Sequence, residues 1–327
     1  WEPLMTKQRR VLFLATAPAM AAPPLFAQSF GARSLRIVVP FSAAGPTDFI
    51  ARLFAQEFTK EIGMPVIIEN KPGASGNIGT QHVVDSEADG LTLVHTTAAM
   101  QAVNPLMYPT MKYDPARDLI PVGMTASMPN VLVVHPNSGV KTIDDLIRKG
   151  KQPGAQLTFA TFGPGSSPHI YGSVLRKATG ISAIPVPYKG SGNAINDVLA
   201  GNIDFIFDSM TTSVSHIRSG KLIGLAITSS ERSALLPNVP TLKETGHGNF
   251  DLKFWFTMQV HAKTPADVVA RLRNACARAV KEKAYMDGLL SRGAEPFYVE
   301  PSQLESFIKK DTENWKMAAQ SIGIKPE

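Results

Sequence analysis

The feature that most constrains the fold is an alternation of short apolar strands with amphipathic helices. Residues 35–40 (LRIVVP) form a β-branched apolar run that predicts a buried strand. Pro46 then opens a helical pattern over residues 47–62. Further strands are predicted at residues 65–69 and 91–96. Alternation of this kind is typical of βαβ units, which build a parallel sheet covered by helices.

The same alternation restarts in the second third of the chain. Residues 131–135 predict a strand, and strands and helices alternate from there to a strand at residues 222–228. A last strand is predicted at residues 254–261, followed by helices over residues 265–283 and 301–321. A chain of 327 residues has room for two domains. The sequence therefore predicts an α/β protein of two lobes, each a mixed, mostly parallel sheet flanked by helices.

Composition excludes several classes of function. The chain is 44% hydrophobic and 18% charged, as in an ordinary globular protein. Its net charge is +6 without a basic stripe that alternates with aromatic residues, so we expect no nucleic-acid partner. The single cysteine, Cys276, allows neither an intrachain disulfide nor a cysteine-based zinc site. The seven histidines form no close metal-binding pair, and we expect neither a metal nor a cofactor.

The N-terminal residues have the order of a secretory signal peptide. Basic residues precede an apolar run over residues 11–22, and small residues follow up to Ala27. We expect cleavage after Ala27, with residues 1–4 as upstream sequence. Export by the general route is favoured, although the arginine pair at residues 9–10 also allows the twin-arginine route. The mature protein, residues 28–327, is then expected in the periplasm.

Two loops, one in each half of the chain, share one arrangement of residues. The first loop, residues 41–45, follows a strand and precedes Pro46; the second loop, residues 163–167, follows a strand and precedes Pro168. Amides at the start of a helix lack helical acceptors, and the helix dipole is positive there, so both loops suit an anion. Ligands of α/β sheets lie beyond the carboxyl ends of the strands. We therefore expect the two loops to hold one anion from both sides of a cleft.

Other polar positions are candidates for the same cleft. A glycine-rich loop over residues 73–79 follows a strand, but its GxxGxxG spacing matches neither a dinucleotide fingerprint nor a P-loop. His169 begins a helix and Tyr188 ends a strand, so both can donate to a ligand oxygen. Asp48 and Asp208 can cap amides or bind a ligand hydroxyl or amine. The alternative to binding is an exported hydrolase or isomerase that uses Asp48, His169 or Asp208, although no nucleophile motif accompanies them.

Short motifs over nearly the whole mature chain resemble one known family. They include IVVPF and GPTD within residues 37–48, NKPGASGNIG at 70–79, SSPH at 166–169, VPYKG at 186–190 and PNVPT at 237–241. Together they resemble the substrate-binding proteins of tripartite tricarboxylate transporters, also called the Bug family.

The resemblance implies a periplasmic-binding-protein, or Venus-flytrap, fold. Lobe 1 would comprise residues 28–128 and 258–327, and lobe 2, residues 129–257, would be inserted into it. It also implies a monomer that binds a small carboxylate and delivers it to separate membrane permease subunits, without catalysis. A ligand-sensing component of a signalling system is an alternative. Aliphatic, amino-acid and aromatic carboxylates all suit such a pocket, and we favour a dicarboxylate.

The resemblance further assigns residues to the ligand. The two loops would hold one carboxylate, and Tyr188 and Asp208 would face the distal part of the ligand. Ala44 replaces a glycine that is usual in the family, and Ser209 replaces a common asparagine, so the width of the first loop and the distal specificity should differ. The predicted ligand contacts are Phe41, Ser42, Ala43, Ala44, Gly45, Thr47, Asp48, Ser75, Asn77, Thr96, Phe162, Gly165, Ser166, Ser167, His169, Tyr188 and Asp208.

Overall fold

Strands and helices alternate along most of the chain. The computed structural model describes Trp1 and residues 34–247 and 252–323, so the predicted signal peptide lies, apart from Trp1, outside the described residues. The strands are β1 Leu35–Val39, β2 Val66–Asn70, β3 Thr92–Thr97, β4 Leu119–Ser127, β5 Asn130–Val134, β6 Leu157–Thr161, β7 Ala183–Pro187, β8 Phe205–Ser209, β9 Ile223–Ile227, β10 Trp255–His261 and β11 Glu295–Pro296. The helices are α1 Pro46–Ile62, α2 Asn77–Val84, α3 Ala98–Ala102, α4 Asn104–Met107, α5 Pro115–Asp118, α6 Ile143–Gly150, α7 Ser167–Thr179, α8 Ser191–Leu199, α9 Met210–Arg218, α10 Ala266–Ala279, α11 Lys283–Leu290 and α12 Leu304–Ser321.

The strands form two separate sheets. The first has the order β11-β4-β10-β3-β1-β2 and the second the order β7-β6-β8-β5-β9. In the first sheet, β1 runs parallel to β2 and β3, and β10 lies antiparallel between β3 and β4. In the second, β6 runs parallel to β7 and β8, and β5 lies antiparallel between β8 and β9. Four strands of each sheet thus share one direction, which confirms the predicted fold of two mixed, mostly parallel sheets.

The chain passes between the sheets at two places. It leaves the first sheet after Ser127 and enters the second at Asn130, and it is back in the first sheet at Trp255. Strands β5 and β10, which follow these two crossings, are the antiparallel strands described above. The lobe boundaries drawn from the sequence stay a prediction, and the one at 257/258 falls inside β10.

Buried aromatic side chains connect the lobes beside the crossing strands. Tyr171 of α7 packs on Phe207 of β8 and on Trp315 of α12, with ring centroids 5.7 and 5.9 Å apart. Trp315 also contacts Phe254, just before β10, at 6.0 Å. Aromatic rings bury large apolar areas, so this cluster fixes the C-terminal helix against the second sheet. Within residues 34–247 and 252–323, no helix has both the length and the apolar character needed to cross a membrane.

Candidate functional site

A cavity lies between the two lobes, where α1 and α7 begin. Its lining includes predicted residues from both lobes: Phe41, Gly45, Thr47, Ser75, Phe162, Ser166 and Ser167. It also includes residues that were not predicted: Pro46, Thr97, Ala99, Met100, Asn104, Met128, Asn130, Ser191, Ser209 and Phe254. The cleft cavity, as we call this space, is therefore lined by uncharged side chains, most of them apolar or bearing hydroxyl groups.

The first turn of α1, beside this cavity, contains backbone amides that lack helical acceptors. Gly45 is the N-cap of α1, and the first helical hydrogen bond runs from Phe49 N to Gly45 O (2.9 Å). The amides of Thr47 and Asp48 precede that bond, so they lack helical acceptors. Pro46 has no N–H and is suited to the first helical position. The turn depends on Ala44, whose φ of 64° lies in the left-handed region.

The Asp48 side chain supports the first loop from behind. Its carboxylate accepts from Ala44 N (3.0 Å), Arg52 Nε (2.9 Å) and Asn70 Nδ2 (2.9 Å), and Asn70 Nδ2 also lies 3.1 Å from Phe41 O. Burial opposes ionisation, but the hydrogen bonds from Arg52, Asn70 and Ala44 outweigh it and lower the pKa of Asp48. Asp48 therefore positions the loop, and its carboxylate is already occupied by protein donors.

The second loop repeats this arrangement with other residues. Gly165 has a φ of 79°, and its amide donates to His169 Nδ1 (3.1 Å), four residues ahead, as Ala44 donates to Asp48. Ser166 is the N-cap of α7, whose first helical bond runs from Ile170 N to Ser166 O (3.0 Å). Burial, with a contribution from Arg176, lowers the pKa of His169 to about 4, so its ring is neutral at pH 7. The amides of Ser167 and His169 precede that bond and lack helical acceptors, and Ser167 lines the cleft cavity.

The two lobes touch through the glycine-rich loop. Ser75 Oγ donates to Pro164 O (2.7 Å), with Phe162 O at 3.3 Å, and Tyr108 OH lies 3.1 Å from Ser75 Oγ and 3.2 Å from Pro164 O. The rings of Phe41 and Phe162 meet edge to face at 6.5 Å. These contacts join the two lobes across the cleft, so the structure is a closed form.

The distal side of the cavity rests on a buried acid. Asp208 is fully buried and accepts from Ser191 Oγ (2.6 Å), Ser213 Oγ (2.7 Å) and Thr212 Oγ1. Burial raises the pKa of Asp208, although the hydroxyl donors oppose this shift. Ser191 and its neighbour Ser209 line the cavity in front of Asp208. Asp208 therefore orients the hydroxyl group of Ser191, a residue that lines the cavity.

The remaining predicted residues lie beside or behind the cavity. Thr96 Oγ1 donates to Gln259 Oε1 (2.9 Å), and Asn77 Oδ1 accepts from Asn104 Nδ2 (2.7 Å). Tyr188 OH donates to Asp197 Oδ2 (2.6 Å). Ser42 and Ala43 lie against the turn at residues 190–192 of the other lobe, where a methyl group built on Gly190 would be 2.5 Å from Ser42 Oγ.

The arrangement offers neutral donors for an anion and little else that is reactive. Burial raises the pKa of the Cys276 thiol to about 12, so this cysteine stays protonated. In the described part of the chain, no group of three or more His, Cys, Asp or Glu side chains could hold a metal ion. Backbone amides at helix starts, together with hydroxyl groups, are suited to recognition of a small anion.

Comparisons with known proteins identify the family of the chain. Residues 50–324 match the family described as the tripartite tricarboxylate transporter family receptor, TctC. Protein BugT of Bordetella pertussis is 34% identical over 322 residues, which cover 98% of this chain and 99% of BugT.

Two solved structures have the same fold. R. palustris Rpa4515 with adipate is 32% identical with a TM-score of 0.86, covering 91% of this chain and 100% of that one. MatC from Rhodopseudomonas palustris with bound malate is 28% identical with a TM-score of 0.82, covering 88% of this chain and 99% of that one. The chain therefore belongs to the tripartite tricarboxylate transporter receptor family, and it is a solute-binding receptor, not an enzyme.

Proposed function

We propose that the protein captures a small dicarboxylate in the periplasm and delivers it to separate membrane permease subunits. The observation that carries the proposal is the pair of helix N-termini, α1 and α7, that open onto one cavity from opposite lobes. Malate and adipate, the compounds bound by the two related structures, are both dicarboxylates, which supports this ligand class. We further propose that the receptor acts as a monomer.

In this proposal one carboxylate of the ligand lies between the two loops. The amides of Thr47 and Asp48 donate from one side, and those of Ser167 and His169 from the other. Helix dipoles and backbone amides can bind an anion in a closed site without a charged side chain, because the low dielectric constant of the site strengthens each hydrogen bond. Phe41, Phe162, Ser75 and the hydroxyl groups at residues 47 and 167 complete the contacts to the ligand. The Ser166 hydroxyl supports the second loop instead, because it donates to Gly163 O (2.6 Å).

Closure of the two lobes explains how the receptor would capture its ligand. A ligand shifts the equilibrium between open and closed forms only through its different affinity for the two. The carboxylate contacts come from both lobes, so they exist together only when the cleft is closed, and binding favours closure. The permease would then recognise the closed receptor.

A thermal-shift screen tests the proposal. The purified receptor, unfolded and refolded to remove any resident ligand, is mixed with malate, adipate, citrate, glutamate and a benzene dicarboxylate. A ligand at 100 times its dissociation constant adds about 2.7 kcal/mol to the free energy of unfolding. We expect a clear shift with a dicarboxylate, which is then recovered unchanged. The absence of a thermal shift with all five compounds, or consumption of the bound compound, would contradict the proposal.

The contact of Ser75 with Pro164 gives a further prediction. Ser75→Ala removes one hydrogen bond that exists only in the closed form, so the dissociation constant for the ligand should rise roughly two- to tenfold. Ser86→Ala is the matched control, because Ser86 Oγ donates to His82 O inside one lobe. Calorimetric titration of both variants measures the difference, and equal affinities would show that the Ser75 contact does not stabilise closure.

A further inference from the structure

Two buried asparagines that line the cleft cavity have side-chain carbonyl oxygens without a donor. Asn104, at the start of α4, and Asn130, at the start of β5, are 0% and 2% exposed. The Oδ1 atom of each is buried and has no hydrogen-bond partner among the described residues. Buried acceptors of this kind are rare in native proteins and call for an explanation.

The orientation of each amide group is fixed by its Nδ2 atom. Asn104 Nδ2 donates to Ser75 O (3.0 Å) and to Asn77 Oδ1 (2.7 Å), and Asn130 Nδ2 donates to Phe207 O (3.1 Å). Rotating either amide by 180° would place its oxygen against those acceptors. The unpartnered atoms are therefore the carbonyl oxygens, and they belong to opposite sides of the cleft.

An ionised dicarboxylate cannot satisfy these oxygens. Carboxylates are acceptors only, whereas hydroxyl and ammonium groups donate. The free amides and hydroxyl groups described above already provide donors for carboxylates, and the lining contains no charged side chain. Asn104 and Asn130 thus supply the acceptors that a ligand donor would need.

We propose that the ligand carries a hydroxyl or ammonium group next to its carboxylates, and that Asn104 and Asn130 select for it. This inference rests on the proposed function, because it assumes that a carboxylate occupies the cleft cavity. An unsubstituted dicarboxylate leaves both carbonyls unsatisfied in a closed site, which weakens binding roughly 10- to 100-fold.

The test compares acids of equal length that differ in one donor group. Calorimetric titration measures succinate against malate and aspartate, glutarate against glutamate, and adipate against 2-aminoadipate. We expect the donor-bearing member of the best-fitting set to bind roughly 10- to 100-fold more tightly. Equal or tighter binding of the unsubstituted acid, or of a benzene dicarboxylate, would overturn this inference and leave the proposed function standing. Binding of no carboxylate would overturn both.

Variants assign the preference to the two asparagines. Asn130→Ala and Asn104→Ala should each reduce the ratio of the affinities for the donor-bearing and the unsubstituted acid. If one asparagine provides most of the preference, its replacement should lower this ratio to about threefold or less. Asn196→Ala is the control, because Asn196 is an exposed residue of α8 that does not line the cleft cavity. A preference that survives in both asparagine variants would contradict the assignment. The comparison of ligands in the unaltered receptor still tests the inference if a variant fails to fold.

Discussion

Gly163→Ala is expected to weaken ligand binding by at least about tenfold. Gly163 has a φ of 100°, and a methyl group built on it would lie 2.6 Å from Ser75 Oγ, closer than atoms can approach. Ser75 would have to move away from Pro164, which breaks the contact between the lobes. The substitution therefore raises the free energy of the closed form more than that of the open form, and the affinity falls with the population of closed receptor.

Titration calorimetry measures this loss, and Gly139→Ala is its control. Gly139 has a similar left-handed φ of 76°, but nothing lies within 4 Å of a methyl group at that position. Both substitutions strain the backbone by about 1 kcal/mol, because non-glycine residues avoid positive φ. Only Gly163→Ala should change the affinity. A variant at residue 163 that binds as tightly as the unaltered receptor would show that the cleft closes differently.

Asp48→Asn is expected to destabilise the fold and to weaken binding together. The carboxylate of Asp48 accepts three hydrogen bonds, and hydrogen bonds to a charged group contribute about 1.5–3 kcal/mol each. An asparagine keeps one acceptor oxygen and places an NH₂ group against other donors. We expect the free energy of unfolding to fall by about 2–3 kcal/mol at pH 7 and the first loop to lose its geometry, so that the affinity falls at least about tenfold.

The pH dependence of the Asp48 effect has a defined sign. Because the folded-state pKa of Asp48 is lowered, its stabilising contribution is present above the unfolded pKa, about 3.9, and is lost as the pH falls through the folded-state pKa. Urea unfolding at pH 7 and near pH 3 should therefore show a smaller difference between Asp48→Asn and the unaltered receptor at the lower pH.

Asp145→Asn is the matched control for Asp48→Asn. Asp145 lies in the first turn of α6, where it belongs to an exposed capping box. Its carboxylate accepts hydrogen bonds from two backbone amides and from Arg148. Its replacement should lower stability by about 1 kcal/mol and leave the affinity unchanged. An equal loss of affinity in both variants would mean that global stability, and not the first loop, controls binding.

Local sequence signals were sufficient for the two helix starts. Proline after small residues marks α1 and α7 because proline suits the first turn of a helix, and both helices begin within a residue of the predicted positions. Strand β4 was missed because Pro121 and Gly123 interrupt its apolar pattern. The predicted helix at 265–283 corresponds to α10, which ends at Ala279, and α11, which begins at Lys283, was not predicted.

Long-range geometry decided the rest of the candidate site. Asn104 and Asn130 reach the cavity only because the sheets and crossing strands bring them together, and no local pattern indicates this. Asp48 and His169 lie next to the two predicted loops, but each side chain accepts a hydrogen bond from the backbone amide four residues earlier. The direction of a side chain in a tight turn depends on such backbone contacts, which sequence spacing does not reveal.

The most direct test of the central claim is a crystal structure of the receptor with its dicarboxylate. We predict closed lobes, with one ligand carboxylate about 2.7–3.2 Å from backbone amides at the starts of both α1 and α7. A carboxylate held by only one lobe, or bound outside the cleft cavity, would contradict the claim that the two helix starts bind one anion.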